Sequence, residues 1–428
     1  MEIGELRMRA RNTKPSVVLP PRQAPLEGEI AVLDACRLPA SGASLAVLGM
    51  AGTLVAAPVV AAGNALRRVR PGEGASAEIL SFVTKDSVEG RFRFARLSTG
   101  FEPSAYDERS IDVDQSHESV VVGERAVVKL MARVAPGPQP ALGLARHLAE
   151  VGFAEAPTPL GAVTWDAPRG GETLLATAAA YLPGATDGWD WLLALVRADI
   201  EAGSRSTSRE AANGLGALTA RLHAALATPS SVLPVPVADW SPDACAAWRR
   251  QALATAEEAG SVGGQEGARV AARLPRIRAA LEGLAWVETP AIRIHGDLHV
   301  GQFLRHANGD AVSDFDGNPL APGEERLAMK PAVKDVASLL RSLDHVGRIC
   351  QRDGAPPAVV RSLVTDLRTA CLGSYRAELG RLGHPALLDE RLLHPFELEQ
   401  ACHEVVYAAR YHPQWLTVAD LALTALLP

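Results

Sequence analysis

The sequence predicts an α+β chain, with a β-rich N-terminal part and a largely helical C-terminal lobe. Three patterns lead there. Short apolar runs broken by turn residues occupy residues 27 to 185, the mark of strands and hairpins. From residue 186 onward, alanine- and leucine-rich segments repeat at helical spacing, as at Leu215, Leu218, Leu222 and Leu226. Between those helices, Arg293 to Pro319 breaks the pattern with a polar cluster and a hairpin.

At 428 residues, 47% hydrophobic and 21% charged, the chain has ordinary globular composition and room for two or three domains. A net charge of -6 argues against a nucleic-acid partner. Cys36, Cys245, Cys350, Cys371 and Cys402 are scattered without C-x-x-C spacing, so neither a disulfide framework nor a zinc site is indicated and a cytoplasmic setting is expected. Ser44 to Gly63 has the length of a membrane span. Gly49, Gly52 and Pro58 punctuate it, so two strands joined at Ala51-Gly52 are expected and no membrane partner is.

In order, residues 1–26 read as a flexible tail rich in arginine and proline. Residues 27–110 read as a β-rich cap domain with room for one helix, its runs being Ile30–Leu33, Leu45–Leu48, Leu54–Val60 and Ile79–Val83, with Arg67–Gly72 as a loop. Residues 111–185 form the next unit. There Val120–Val122 and Ala126–Leu130 flank a tight Gly123-Glu124 turn, and Lys129 closes the second strand. Protein kinases place the lysine that grips the ATP phosphates at such a position. Ser116 and Ser119, in the polar stretch before the first strand, offer hydroxyls and backbone N–H groups to the same phosphates, although no G-x-G-x-x-G is present. A helix at Ala141–Val151 and strands at Ala162–Trp165 and Thr173–Leu182 follow. Tyr181 and Leu182, before Pro183-Gly184, take the hinge position whose backbone would meet adenine. Residues 186–428 form the helical lobe.

The polar cluster carries the chemistry. Asp297 follows the apolar entry Ile292 and Ile294, and Gln302 comes five residues later. Asn308-Gly309 between short apolar runs is a hairpin signal that returns the chain to Asp314. The Asp-to-amide spacing matches the kinase catalytic loop, and Asp314-Phe-Asp316-Gly stands where D-F-G would. A carboxylate to take the acceptor proton and two oxygen ligands for Mg2+ are what phosphoryl transfer from ATP needs. This predicts a bilobal, protein-kinase-like phosphotransferase acting on a small molecule.

The run His295–Leu304 carries a family resemblance together with Asp314–Pro319, Val333–Asp344, Gln115–Ser119, Asp187–Trp189 and Phe396–Trp415. From about residue 110 to its end, the chain resembles the actinobacterial maltokinase group of the aminoglycoside-phosphotransferase-like kinases. The resemblance implies that Asp297 is the base, Gln302 and Asp314 the Mg2+ ligands, and Lys129 the ATP-phosphate lysine. It implies that Asp335 and Arg341 brace the loop, that His295 positions it, and that the 399–408 helix walls the sugar site. Candidate substrate residues are His299, Asp316, Glu399, His403, Glu404 and Trp415.

The departures matter. Asp316 and Asn318 stand where the maltokinases carry glutamates, and Glu399, Gln400, Cys402, His403 and Ala408 replace their Asp, Lys, Val, Tyr and Glu. Gly143 stands where relatives carry a glutamate able to pair with the ATP lysine. Chains that depart in this way resemble the actinobacterial glucosamine kinases. A site with Glu399, Glu404 and Asp316, and one lysine fewer, would attract an ammonium group. The expected reaction is therefore phosphorylation of glucosamine at its 6-hydroxyl, ahead of maltose or an aminoglycoside as acceptor, and ahead of a pseudokinase that only binds nucleotide.

Overall fold

The structure is a computed structural model and describes all residues except 20–25, 102–106, 112–117, 138, 169, 319–320, 322 and 428. Ser116, and Pro319 of the later motif, lie outside the described residues. The chain forms two compact units, residues 1–149 with 156–184 and residues 150–155 with 185–428.

The first unit begins with α1 (Ile3–Ala10), β1 (Ala31–Leu38), β2 (Ala43–Met50), β3 (Thr53–Ala62), β4 (Ala65–Arg68) and α2 (Ala75–Thr84). It continues through β5 (Val88–Glu89), β6 (Phe92–Arg96), β7 (Glu108–Ser110), β8 (Glu118–Val122), β9 (Ala126–Leu130) and β10 (Arg133–Val134). Then come α3 (Pro140–Glu150), β11 (Pro159–Ala167) and β12 (Gly171–Ala180).

The expected tail is in part a helix. Leu6 and Ala10, one turn apart on α1, are buried in the same cluster as Val32, Leu48 and Leu66, while the arginines between them stay at the surface. β2 and β3 form the expected pair, turning at Ala51 and Gly52, both at positive φ. The expected Arg67–Gly72 loop starts later, because Arg67 and Arg68 belong to β4. Arg68 is buried and its Nε donates to Glu118 at 3.0 Å. Ile79–Val83 lies in α2, the one helix for which the sequence left room. The Glu108 carboxylate caps it, accepting from the N–H groups of Gly72, Gly74 and Ala77 at 2.7 to 3.0 Å.

A seven-stranded sheet runs β5-β6-β11-β12-β9-β8-β7. It draws strands from both sides of residue 110, so the division expected there falls inside one sheet. Phe92 and Phe94 of β6 pair with Trp165 and Val163 of β11 in a shared core. On β9, Ala126, Val128 and Leu130 are buried, and Lys129 faces the other way.

The second unit contains α4 (Gly188–Glu201), α5 (Ser206–Leu226), β13 (Val237–Asp239), α6 (Pro242–Gly260), α7 (Gly264–Glu282) and β14 (Pro290–Ile292). After these come β15 (Phe303–His306), β16 (Gly309–Val312), α8 (Gly323–Leu327), α9 (Val333–Arg352), α10 (Pro357–Arg381), α11 (Leu393–Tyr411) and α12 (Leu416–Leu426). α6, α7, α11 and α12 share one apolar core around Ala256, Ile277, Ala401 and Leu423. α9 runs through the middle of the unit with 16 of its 20 residues buried. No helix among the described residues is long and apolar enough to cross a membrane.

Candidate active site

The Asn308-Gly309 signal produces the expected hairpin: Phe303 pairs with Val312 and His306 with Gly309. Its base is closed by Ser313, whose N–H donates to the Gln302 carbonyl at 2.9 Å. Asp314, the next residue, adopts φ 63°, a left-handed conformation that non-glycine residues hold only under local constraint.

The catalytic loop is fixed from below by α9. Both carboxylate oxygens of Asp335 accept backbone N–H groups, from His295 at 2.8 Å and Gly296 at 2.9 Å. Seven residues along the same helix, the Ser342 hydroxyl accepts from Val300 N–H at 3.0 Å. His295 joins the two halves of the site. Its Nδ1 accepts from Asp297 N–H at 3.3 Å, and its Nε2 donates to the Ser313 carbonyl at 2.9 Å. Gly296 and Gly317 face each other at positive φ, where a Cβ on Gly296 would lie 3.4 Å from the Gly317 Cα. That approach explains why each of the two acidic motifs carries a glycine.

Burial pushes the Asp297 carboxyl up to about 7, helped by the negative charges of Asp314 and Asp335. Two carboxylates thus converge where a cation would relieve their repulsion. Asp314, with the buried side-chain amide of Gln302, offers the hard oxygen donors that Mg2+ prefers. The residues present fit a magnesium ion.

His299 stands beside Gln302. Its Nδ1 accepts from Gly301 N–H at 3.1 Å, and burial lowers its pKa to about 4. The His299 Nε2 lies 3.2 Å from the Gln302 side-chain nitrogen, so the ring and the amide are in hydrogen-bond contact. His299, a candidate substrate residue, contacts a candidate metal ligand, Gln302.

A cleft of about 220 Å3 opens beside Gly296, lined among the described residues by Asn318, Lys330, Lys334, Ser338, Glu399 and His403, with Gln251 and Thr255 of α6 on its far side. His403 Nε2 accepts from Asn318 Nδ2 at 3.1 Å, and burial lowers its pKa, so the ring is neutral. Glu399 is bound by Lys334 and by Trp248 Nε1 at 2.6 Å. Burial raises its pKa, but the lysine outweighs this and keeps the carboxylate ionised. Lys334 and Lys330 enter from the α9 side, and Glu399 is not a free carboxylate.

Other candidates fall elsewhere. Glu404 turns away from the cleft toward α9, 3.2 Å from Arg341 and 3.4 Å from His345. Arg341, expected to brace the loop, is buried between Glu404 and Asp344 instead. Trp415 packs under the Arg352 guanidinium at the C-terminal end of α9, 17 residues past Asp335 and so about 25 Å along the helix. It lies outside the cleft. Asp316 flanks the cleft residue Asn318, with its carbonyl held by Arg326 at 3.3 Å.

In the first unit, Lys129 stands directly across from Ser119 on β8 and Thr177 on β12, so these three share one face of the sheet. Thr177 was not anticipated; its place opposite the lysine, which only register shows, makes it a candidate phosphate contact. Tyr181 N–H donates to the Arg125 carbonyl at 2.8 Å, and its hydroxyl accepts from Arg109 at 2.8 Å. Leu182 follows in the strand-free stretch that ends the first unit at Gly184.

The description of the Phosphotransferase enzyme family matches residues 107–357. This chain belongs to that family. Its relatives include the glucosamine kinase of Streptacidiphilus jiangxiensis, 41% identical over 375 residues that span 85% of this chain and 83% of that one. The glucosamine kinase of Mycolicibacterium smegmatis is 37% identical over 365 residues, 84% and 90% of the two chains. Among solved structures, a glucosamine kinase in complex with glucosamine, ADP and inorganic phosphate superimposes with TM-score 0.77 at 37% identity, covering 98% of each chain. A second crystal form of a glucosamine kinase reaches TM-score 0.81 at 36% identity, over 98% of this chain and 99% of that one. The chain is an ATP-dependent phosphotransferase of kinase-like, bilobal α+β fold, as the catalytic-loop spacing implied.

Proposed function

We propose that this protein is a glucosamine kinase that transfers the γ-phosphoryl group of ATP to the 6-hydroxyl of the sugar. The observation that carries the chemistry is the poise of Asp297, a carboxyl near 7 anchored through its loop by Asp335 and faced by Asp314. A base with that affinity takes a hydroxyl proton at neutral pH without holding it too tightly. Gln302 and Asp314 hold Mg2+, which when bound neutralises phosphate charge. Lys129, with Ser119, Thr177 and Ser116, grips the phosphates, and the Tyr181-Leu182 backbone meets the adenine edge.

The acceptor assignment rests on the glucosamine-bound relative and on the cleft beside Gly296. That cleft, of about 220 Å3, is taken as the acceptor site. Within it, Asn318, His403 and Ser338 offer neutral hydrogen-bonding groups for hydroxyls, and the ion-paired Glu399 offers an acceptor for the ammonium. Five buried free cysteines suit a reducing, cytoplasmic setting. Residues 27–110 supply β5, β6 and β7 to the sheet that carries Lys129. Steady-state assays of the purified protein with ATP, Mg2+ and a panel of glucosamine, glucose, maltose and an aminoglycoside test the proposal. Glucosamine should give the highest kcat/KM, with the phosphate on O6 by NMR; higher turnover of maltose or of the aminoglycoside would overturn it.

A further inference from the structure

We propose that Tyr375 and His223 form a positioning relay that holds the catalytic loop through Asp335. The hydroxyl of Tyr375 on α10 meets His223 Nδ1 on α5 at 2.7 Å, and His223 Nε2 lies 3.2 Å from the Asp335 carboxylate. All three side chains are essentially removed from water. From Asp335 the chain of hydrogen bonds passes directly to His295 N–H and Gly296 N–H, the two residues before Asp297.

The direction of each bond follows from what each group can do. A carboxylate that already accepts two backbone N–H groups can only accept again, so His223 Nε2 carries a proton. Nδ1, on the other side of the ring, meets the Tyr375 hydroxyl, so the imidazole is held at both nitrogens between α10 and α9. Tyr375 thus fixes which nitrogen faces Asp335. The relay sits in the seam where α5 and α10 approach so closely that a Cβ on Gly216 would fall 2.1 Å from the Cys371 carbonyl. Three buried polar side chains in such a seam cost stability that apolar packing would not. Their far end is the backbone of the phosphoryl-transfer loop, which gives them a purpose there.

The inference rests on Asp297 being the base. His223→Leu, assayed with ATP, Mg2+ and glucosamine, should lower kcat by about 10- to 100-fold through misplacement of the loop, with KM for ATP within about 3-fold of wild type. His223→Gln, whose amide can still donate to Asp335, should recover most of the loss. Tyr375→Phe should lower kcat several-fold, and adding it to His223→Leu should change kcat by less than about 2-fold. Hydrogen exchange of the unliganded protein supplies a readout independent of catalysis: protection at His295 and Gly296 should fall in His223→Leu and Tyr375→Phe and return in His223→Gln. Unchanged protection in the folded variants, or additive losses of kcat, would overturn the relay. An inactive wild type would instead overturn the proposed function, leaving the exchange measurement to judge the relay.

Discussion

At the scale of single residues, Asp297 ties catalysis to stability. Its carboxyl titrates near 7 in the native state, against about 4 in an unfolded chain. Between those values the native protein binds more protons than the unfolded one, so the raised pKa lowers stability progressively as pH rises, and does so fully above about 7. Asp297→Asn should therefore cut turnover by about 10³-fold while sparing nucleotide binding, and should stabilise the unliganded protein at high pH. Thermal unfolding from pH 5 to 9 checks this: the Tm advantage of the variant grows with pH and levels off above about pH 8. A variant that tracks wild type throughout would mean that Asp297 titrates as an ordinary carboxylate.

At the scale of elements, the helices of the second unit and the contacts between them were legible to different degrees. The helices α4 to α7 and α9 to α11 follow from apolar spacing alone, and their contents agree with it. What spacing does not reveal is which polar residue meets which across a seam. Glu399, His403 and Glu404 sit within six residues on α11, yet the first two face the cleft and the third faces Arg341 on α9. Lys334 stood beside Asp335 in plain view, but only the α9–α11 packing places it on Glu399. His223 had a visible signal, a polar ring inside the apolar stripe of α5, whose meaning depends on α9 and α10. The Lys334–Glu399 pair yields a testable selectivity. Lys334→Met leaves an unpaired carboxylate in the cleft, so the ratio of kcat/KM for glucosamine over glucose should rise, while stability falls by about 3 kcal/mol. A ratio unchanged or lowered would show that Glu399 does not face the acceptor. On the other seam, Gly216→Ala forces α5 from α10 and should destabilise by about 3 kcal/mol in urea unfolding, the upper range for overpacking.

At the scale of the whole molecule, the catalytic hairpin was the most legible feature, because Asn308-Gly309, the Asp-to-Gln spacing and the second acidic motif are local in sequence. The N-terminal organisation was the least. Two buried residues on α1 hide among arginines, and the seven-stranded sheet joins β6 to β11 across more than 60 residues through a pairing that no local pattern encodes. Under the proposed function, Lys129, Ser119 and Thr177 of the first unit hold the nucleotide phosphates, and Gln302 and Asp314 of the second hold Mg2+, so each set is tested by its own ligand. A ligand present at 100 times its Kd stabilises the native state by about 2.7 kcal/mol. ADP without metal should give a modest rise in Tm that Lys129→Met removes. Adding Mg2+ should give a further rise that Asp314→Asn removes while leaving the metal-free shift intact. A metal increment that survives Asp314→Asn would place the magnesium on other ligands, and a shift insensitive to Lys129→Met would move the nucleotide phosphates off the β9 face.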